Sequence, residues 1–331
     1  MPALFVQALP EEVVSAPGMG RIRIAAGLLA SLSLSACASR HAPPRATGSA
    51  LPAAPIATPT AAAAESELPR GGRTLFPKHR LVGFCGTPGA PALGELQGNL
   101  EAKSKALLDY AEKYAGVDAR VVLPVYELIA VVVQAGSGAD GKFRRRVDDG
   151  TVETYLQRAR AGKGLLLLNI QPGVSDFMTE VKHFEKWLRE PDVGLALDPE
   201  WAMKAGQKPG KIFGQVTAAG IDEIGAYLAQ IVAERALPEK ALVFHQVNRW
   251  VVKDEPTLKP HPGVVVIKSV DGLGPKGAKI ETYDNLMKLM TPSTHAGFKL
   301  FFDEDRRNGG VLMTPKEVMS LKPQPEYVMY E

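Results

Sequence analysis

The sequence predicts an α/β fold, specifically a (β/α)8 (TIM-like) barrel that follows a signal peptide and a disordered N-terminal tether. Three observations support the barrel. Apolar, strand-like runs alternate with segments of helical periodicity from residue 75 to residue 331. Several runs are apolar at every position, which is typical of parallel strands covered on both faces. This part of the chain, about 257 residues, is also close to the ~250 residues of such a barrel.

Each element follows from its local pattern. Residues Val152, Tyr155, Leu156 and Ala159, for example, repeat at helical spacing, and similar patterns follow most of the apolar runs. Eight such units favour a closed barrel, and an open α/β sheet with seven or eight strands is the alternative. The predicted strands are 81–85, 121–133, 165–170, 193–197, 241–247, 264–270, 298–302 and 327–330, and the predicted helices lie within 93–114, 152–159, 177–188, 221–232, 283–290 and 313–321.

The N-terminal region contains the tetrapeptide Leu34-Ser35-Ala36-Cys37. It closes the apolar run 24–34, which is too short to span a bilayer and follows the basic residues Arg21 and Arg23. This arrangement resembles the signal peptides of bacterial lipoproteins, in which the cysteine is acylated after cleavage. The resemblance implies lipid attachment at Cys37, a location in the cell envelope outside the cytoplasm, and a membrane partner. Met19 is a plausible translation start.

Composition divides the chain into three segments. Residues 1–36 are predicted to be the signal peptide, residues 37–73 a lipidated tether, and residues 74–331 a single barrel-like domain. The tether is rich in Ala, Pro, Thr and Ser, so it cannot bury a core and is expected to be extended and disordered. At ~3 Å per residue it would hold the domain up to roughly 100 Å from the membrane.

Charge and cysteine content exclude some classes of function. The formal net charge is +3, and the short basic run Arg144-Arg145-Arg146 is most simply a solvated loop edge, so nucleic-acid binding is not expected. With Cys37 acylated, Cys85 has no partner for an intramolecular disulfide. Its apolar surroundings predict a small buried core residue.

Candidate site residues follow the predicted strands, because barrel active sites lie at the carboxyl ends of the strands. The chain has no HExxH or HxH pattern, so a dedicated zinc site is not expected. No cofactor is predicted. His245 is either an acid/base residue or a core histidine satisfied by hydrogen bonds. The first polar residues at or near these strand ends are Glu127, Gln171, Asp198, Glu200, His245, Gln246, Asp271, Asp303, Glu304 and Asp305.

The most informative of these motifs is Asp198-Pro199-Glu200-Trp201. On an extended segment Asp198 and Glu200 would point to the same side, and two neighbouring carboxyl groups can keep one of them protonated near neutral pH. A protonated carboxyl group is the general acid that glycoside hydrolysis requires. Trp201, together with Trp250 after the fifth strand, would supply apolar platforms for sugar rings.

The motif resembles the Asp-x-Glu sequence that ends strand four in barrel glycoside hydrolases, such as family 18 chitinases and family 25 lysozymes. The resemblance implies that Glu200 is the catalytic acid and that Asp198 assists, in family 18 by acting on the N-acetyl group of the substrate. In the competing structural interpretation, Asp198 caps a turn that Pro199 stiffens, and Trp201 plugs the barrel rim. The loop 202–220 would be either a lid or an ordinary surface loop, and 136–146 a hairpin beside the mouth.

Three functional hypotheses result. The first is a membrane-anchored lipoprotein whose barrel hydrolyses envelope or external glycans, with Asp198 and Glu200 catalytic and Glu127, Gln171, Trp201, His245, Gln246, Trp250 and Asp303 binding substrate. The second is a lipoprotein that binds a glycan or another envelope component without catalysis. The third is a different hydrolase that uses Cys85 or a metal site assembled from distant strands. No protein partner is specified by the sequence.

Overall fold

The computed structural model describes residues 66–331, and these residues form a closed barrel of parallel strands with helices outside it. The predicted signal peptide, Cys37 and most of the tether lie outside the described residues. The strands in chain order are β1 (His79–Gly86), β2 (Val121–Val133), β3 (Arg144–Arg146), β4 (Leu165–Ile170), β5 (Val193–Leu197), β6 (Val216–Thr217), β7 (Lys240–Gln246), β8 (Val252–Lys253), β9 (Val264–Val270), β10 (Thr294–Leu300) and β11 (Tyr327–Tyr330).

Eight of these strands make the barrel wall. Their order around the barrel is β1, β2, β4, β5, β7, β9, β10 and β11, and every neighbouring pair is parallel. The ring closes because β11 also pairs in parallel with β1, with Leu81 opposite Tyr327. The predicted (β/α)8-type fold is therefore confirmed, and the alternative of an open sheet is wrong.

Helices follow most of the barrel strands and cover the outside of the wall. Their first turns are capped by side chains, since Asn99, Asp148, Asp176, Thr217 and Thr314 each accept a hydrogen bond from a backbone N–H in the first turn. Within the described residues the α-helices are α1 (Leu100–Glu112), α2 (Asp149–Ala161), α3 (Phe177–His183), α4 (Glu185–Leu188), α5 (Ala218–Arg235), α6 (Lys276–Met287) and α7 (Pro315–Val318). No helix in this part of the chain combines the length and hydrophobicity needed to cross a bilayer.

The first helix begins later than the sequence predicted. The apolar spacing suggested a start near Leu93, but α1 begins at Leu100 after Asn99. Gly94 has φ 113° and Gly98 has φ 68°, backbone conformations that interrupt a helix. A Cβ atom at Gly94 would also lie 2.4 Å from the carbonyl oxygen of Cys85. The loop before α1 therefore packs directly against the end of β1.

The barrel strands are buried on both faces. Along β1, Val82 and Phe84 pack outward against the helices, whereas Leu81 and Cys85 face the barrel interior. This explains why the strands read as continuous apolar runs. The interior side chains of the other strands include Leu123, Val125, Leu165, Leu167, Ala196, Ala241, Val243, Val265, Ile267, Tyr327 and Met329.

The segment before β1 closes the amino-terminal end of the barrel. Leu68 and Leu75 belong to the interior cluster, and Leu75 N–H donates to the Glu239 carboxylate at 2.6 Å. The Arg73 guanidinium donates to the carbonyl oxygens of Ala236 and Leu237. Packing against the barrel thus begins before residue 74, where the sequence placed the domain boundary. The opposite end, at the carboxyl ends of the strands, is left for a site.

A hairpin stands beside that opposite end, as the sequence predicted for residues 136–146. Strand β3 pairs antiparallel with the last residues of β2. The basic run within it is not a solvated edge, however. Arg144 and Arg146 donate to the buried Glu180 carboxylate at 2.9 and 2.6 Å, and Arg145 is exposed. Side chains alternate between the two faces of a strand, so Arg144 and Arg146 reach the buried Glu180 carboxylate on one face. Arg145 lies on the other face.

The close packing of β1 against β2 can be tested at Gly83. This residue lies opposite Val125 in the pairing of β1 with β2, and a Cβ atom there would lie 2.0 Å from the Val125 carbonyl oxygen. We expect Gly83→Ala to lower the free energy of unfolding by roughly 1–3 kcal/mol, because the backbone must shift. The measurement is the midpoint of urea denaturation at an unchanged m-value.

Gly277→Ala is the matched control for that substitution. A Cβ atom at Gly277 meets nothing within 4 Å, and the residue lies in α6. Alanine there should raise the free energy of unfolding by about 0.5 kcal/mol, since it restricts the unfolded chain. Wild-type stability of Gly83→Ala would contradict the close contact between β1 and β2.

Candidate active site

A cavity of about 90 Å³, here called the mouth cavity, lies at the carboxyl ends of the barrel strands. Six of the residues singled out in the sequence line it: Gln171, Asp198, Glu200, Trp201, Asp271 and Glu304. The complete lining consists of Ala92, Leu93, Gln171, Asp198, Glu200, Trp201, Val247, Asp271, Leu273, Lys299, Phe301, Glu304 and Glu331.

At the floor of the mouth cavity and below it lies a layer of polar side chains, here called the polar layer. It consists of Glu127, Asn169, Asp198, His245, Ser269 and Lys299, of which Asp198 and Lys299 line the cavity. It follows from strand alternation, because residues two apart on a strand face the same side. On β2 the inward residues Leu123 and Val125 are followed by Glu127. On β7 the residues Ala241 and Val243 are followed by His245. Each strand thus changes from apolar to polar near its carboxyl end.

The segment Asp198–Trp201 is not extended, contrary to the sequence prediction. After β5 ends at Leu197, residues Pro199–Trp201 form a 3-10 turn, in which Trp201 N–H donates to the Asp198 carbonyl at 3.1 Å. Pro199 suits the first position of this turn because it has no N–H to satisfy. Both Asp198 and Glu200 nevertheless line the mouth cavity, although the reason is the turn and not the pleat of a strand.

Amide side chains fix the Asp198 carboxyl group. Asn169 Nδ2 donates to Asp198 Oδ1 at 3.0 Å, and Gln171 Nε2 donates to Oδ2 at 2.9 Å. Gln171 is itself held by Val133 N–H, which donates to its Oε1 at 3.1 Å. Burial raises the pKa of Asp198, against the opposing influence of His245 and Lys299. The carboxyl group is therefore oriented by three strands at once.

Glu200 is the least satisfied carboxyl group of the site. It is only 5% exposed, and its Oε2 atom has no hydrogen-bond partner among the described residues. Burial, followed by the neighbouring carboxyl groups of Asp198 and Asp271, raises the pKa of Glu200 well above its usual range. This shift favours the protonated form of Glu200, and the residue lines the cavity in which a ligand would bind.

His245 is buried between two carboxylates under the cavity. Its Nδ1 contacts Asp271 Oδ1 at 3.1 Å, and its Nε2 contacts Glu127 Oε1 at 3.1 Å. A carboxylate accepts but does not donate, so each ring nitrogen must carry a hydrogen. Burial alone would lower the pKa of His245, but Asp271 and Glu127 outweigh it and raise the pKa well above 6.5. His245 is therefore a cation.

The two carboxylates are held ionised in return. Burial alone would raise the pKa of Glu127, yet His245, Lys299 and the hydroxyl of Tyr327 lower it to about 2. Asn169 Nδ2 also donates to Glu127 at 2.9 Å. The pKa of Asp271 is lowered as well, because His245 and Lys299 outweigh its burial. Glu127 and His245 thus support the cavity from below and do not line it.

Lys299 is a cavity residue that the sequence analysis missed. Its Nζ lies 2.6 Å from Glu331 Oε2 and 3.4 Å from Asp271 Oδ2. Burial would lower the pKa of Lys299, but the nearby acidic groups, Glu331 first, raise it well above 10.5. Its sequence signal was a lysine inside the predicted strand 298–302, and Asn169 and Tyr327 likewise lie inside predicted strands. Glu331 directly follows the last predicted strand. None of the four was recognised, because the sequence does not show which side chains they contact.

The thiol of Cys85 lies at the inner edge of this network. It contacts Glu331 Oε2 at 3.3 Å, and the residue is fully buried, as predicted. Burial, and then the Glu331 carboxylate, raises the pKa of Cys85 well above its usual range. The thiol therefore stays protonated, whereas a nucleophilic cysteine requires the thiolate.

Besides Glu127 and His245, four of the sequence candidates do not line the mouth cavity: Trp250, Gln246, Asp303 and Asp305. Asp305 is buried, and its Oδ2 lies 3.1 Å from Lys279 Nζ. Trp250 is 65% exposed and lines a separate groove with Gln215 and Lys253. Gln246 is buried, and its Nε2 donates to Glu255 at 3.0 Å. Asp303 is exposed, and the next residue, Glu304, lines the cavity instead. Within residues 66–331 no group of three or more His, Cys, Asp and Glu side chains has the geometry of a metal site.

Comparison with known proteins does not assign this chain to a family. No model of a known protein family matches the chain, and no curated protein matches it significantly. The function must therefore be argued from the mouth cavity itself.

His245 provides a test of the charge arrangement. We expect both of its ring nitrogens to remain protonated well above pH 6.5, as measured by 15N NMR of the histidine rings, with His245→Gln identifying the signal. His183 is the internal control, because burial and the charge of Arg146 lower its pKa. A neutral His245 ring at pH 7 would contradict the assignment.

The same substitution should be strongly destabilising. His245→Gln leaves Glu127 and Asp271 buried without their shared cation, so we expect a loss of about 3–5 kcal/mol in unfolding free energy. Because the pKa of His245 is raised in the folded state, its contribution is complete below about pH 6.5 and disappears as the pH rises through the folded-state value. His183→Gln should show neither effect.

Proposed function

We propose that this protein is a glycoside hydrolase in which Glu200 is the general acid. The observation that carries the proposal is the buried carboxyl group of Glu200, which lines the mouth cavity and whose Oε2 has no partner among the described residues. Burial and the neighbouring carboxyl groups of Asp198 and Asp271 raise the pKa of this group, which favours the protonated form that a general acid needs. A second carboxyl group, Asp198, lies in the same cavity. Pairs of carboxyl groups with different protonation states are the usual catalysts of glycoside hydrolysis.

In the proposed reaction the bond between the anomeric carbon and the bridging oxygen breaks. The electron pair leaves with that oxygen, which takes the proton from Glu200. Positive charge then develops on the sugar ring, where Asp198 and Asp271 stabilise it. A water molecule finally bonds to the anomeric carbon and returns a proton to Glu200. By the resemblance to family 18 enzymes, Asp198 would orient an N-acetyl group when the substrate has one.

The cavity wall suits a sugar ring. Trp201 is 7% exposed, and with Leu273 and Phe301 it adds apolar groups to the same lining as the carboxyl groups. Sugars have apolar ring faces and polar edges, so a lining of both kinds matches their two kinds of surface.

The proposal includes the cellular location. The sequence Leu34-Ser35-Ala36-Cys37 supports export as a lipoprotein that is anchored to a membrane through Cys37 and faces away from the cytoplasm. A glycan of the cell envelope or of the surroundings is then the accessible substrate.

Binding without catalysis is the second candidate, and one observation favours it. Trp250 is largely exposed beside a groove of its own, and the guanidinium of Arg249 lies 4.8 Å from its ring centroid. An exposed tryptophan is a platform on which a sugar can stack without being cleaved. This candidate requires saturable glycan binding that yields no product and that weakens in Trp250→Ala.

Glu200→Gln tests the catalytic role. We expect kcat/KM on natural glycans to fall by roughly 10²–10⁴-fold, because the leaving oxygen no longer receives a proton. Aryl glycosides with strongly acidic leaving groups need little protonation, so their cleavage should fall much less. Glu281→Gln, at an exposed position on α6, is the matched control. Equal turnover of natural glycans by Glu200→Gln and wild type would refute the assignment.

Stability gives an independent measurement on the same variant. The folded protein keeps the Glu200 proton above pH 4.5, where the unfolded chain releases it, so a raised pKa lowers stability as the pH increases. Glu200→Gln removes this penalty and should raise the unfolding free energy at pH 7 by about 1 kcal/mol. The gain should vanish below about pH 4. A less stable variant at pH 7 would contradict the buried, protonated state.

The proposed anchor is tested at Cys37. Cells that express the full chain with a radiolabelled fatty acid should label the wild-type protein and not Cys37→Ala. Cys85→Ala is the control and should retain the label, because that thiol is buried in the barrel. Equal labelling of the wild type and Cys37→Ala would show that the lipid is not attached there.

A further inference from the structure

The mouth cavity is strongly acidic. Five carboxyl groups line it, those of Asp198, Glu200, Asp271, Glu304 and Glu331, and among its lining residues only Lys299 carries a basic group. The hydrolysis proposed above uses Glu200, Asp198 and Asp271. Glu304 and Glu331 are left without a role in it. Their position in the cavity wall would be explained if they bind the ligand.

The single lysine does not offer a site for an anion. Lys299 Nζ is paired with Glu331 at 2.6 Å and with Asp271 at 3.4 Å. The Lys299 ammonium group is thus already paired with carboxylates of the cavity wall. A uronic acid or another anionic sugar would enter a cavity whose one cation is already neutralised, and it would be repelled by the remaining carboxylates.

The carboxylates, by contrast, have unused acceptor capacity. Glu331 accepts from Lys299 and from Cys85 through Oε2 alone, and Glu304 accepts from Arg307 through Oε1 at 2.9 Å. Each of these carboxylates has a second oxygen that can accept from a ligand. Glu200, which is 5% exposed and lines the same cavity, has one carboxyl oxygen, Oε2, without a hydrogen-bond partner among residues 66–331, and this unsatisfied group is an independent indication of a ligand.

We propose that the sugar bound in the mouth cavity carries a free amino group, so that the substrate is a glycan of unacetylated amino sugars. Its ammonium group donates to the carboxylates of Glu304, Glu331 and Asp271, while Glu200 protonates the bridging oxygen. This inference rests on the proposed hydrolysis for its cleavage step and on the cavity charges for its selectivity.

Binding of single sugars to the full-length protein tests the charge preference. Calorimetry or ligand-observed NMR would compare glucosamine and galactosamine with their N-acetyl forms, with glucose and with glucuronic acid, at a pH where the amines are charged. We expect the free amines to bind at least about tenfold tighter than the N-acetyl forms, and glucuronic acid to bind weakest.

Two variants test whether the carboxylates of the cavity wall cause the preference for amines. Glu304→Gln and Glu331→Gln should each weaken amine binding by roughly tenfold and leave glucose binding unchanged, because glucose has no charge to lose. Glu331→Gln should also admit glucuronic acid, since Lys299 loses its closest partner. Glu281→Gln, on the outer surface, should match the wild type for every sugar.

Cleavage separates this inference from the proposed function. Oligosaccharides of glucosamine or galactosamine should be hydrolysed faster than their fully N-acetylated counterparts. Cleavage that prefers N-acetylated chains, or amine binding that is unchanged in both variants, overturns the amino-sugar assignment and leaves the hydrolase intact. Selective amine binding with no cleavage of any oligosaccharide overturns the hydrolase and retains the amine site.

Discussion

The buried cation of His245 is the interaction on which the rest of the site depends. It holds Glu127 and Asp271 ionised inside a closed barrel, where a carboxyl group without such a partner would be neutral. Asp271, kept negative in this way, contributes to holding Glu200 protonated. A buried ion pair is weak evidence for stability, because apolar residues of the same size often stabilise a fold as well or better. The arrangement is therefore better explained by the charge states that it imposes on the cavity.

The polar layer lies between the apolar amino-terminal half of the barrel interior and the mouth cavity. The amino-terminal half of the interior is filled with aliphatic side chains, and the layer above it has the donors and acceptors that fix Asp198. This division lets packing stabilise the fold while the carboxyl ends of the strands hold partly unsatisfied groups. Glu200 is one of these, and its lost hydrogen bond is the kind of local penalty that functional sites carry. The protonated Cys85 and the tightly paired Lys299 leave the carboxyl groups as the chemically available members of the site.

The fold could be predicted from the sequence because it depends on a local property, the distribution of apolar residues along each strand. All eight barrel strands are visible as apolar runs, and strands such as β4 are apolar on both faces, which implies a parallel sheet. Asp198, Glu200 and Trp201 were also found, since they directly follow a strand. Lys299, Asn169 and Tyr327 were missed because their importance comes from partners far along the chain. Tyr327, for example, bonds to Glu127 across 200 positions. The 3-10 turn at Pro199 likewise depends on packing that spacing alone does not reveal.

The N-terminal segment that closes the lower end of the barrel has a directional consequence. Leu68 and Leu75 hold the start of the described chain at the end opposite the mouth cavity. The chain therefore enters the barrel at the end away from Glu200. A ligand that reaches the mouth cavity from solution approaches the opposite end, where neither Leu68 nor Leu75 lies in its way.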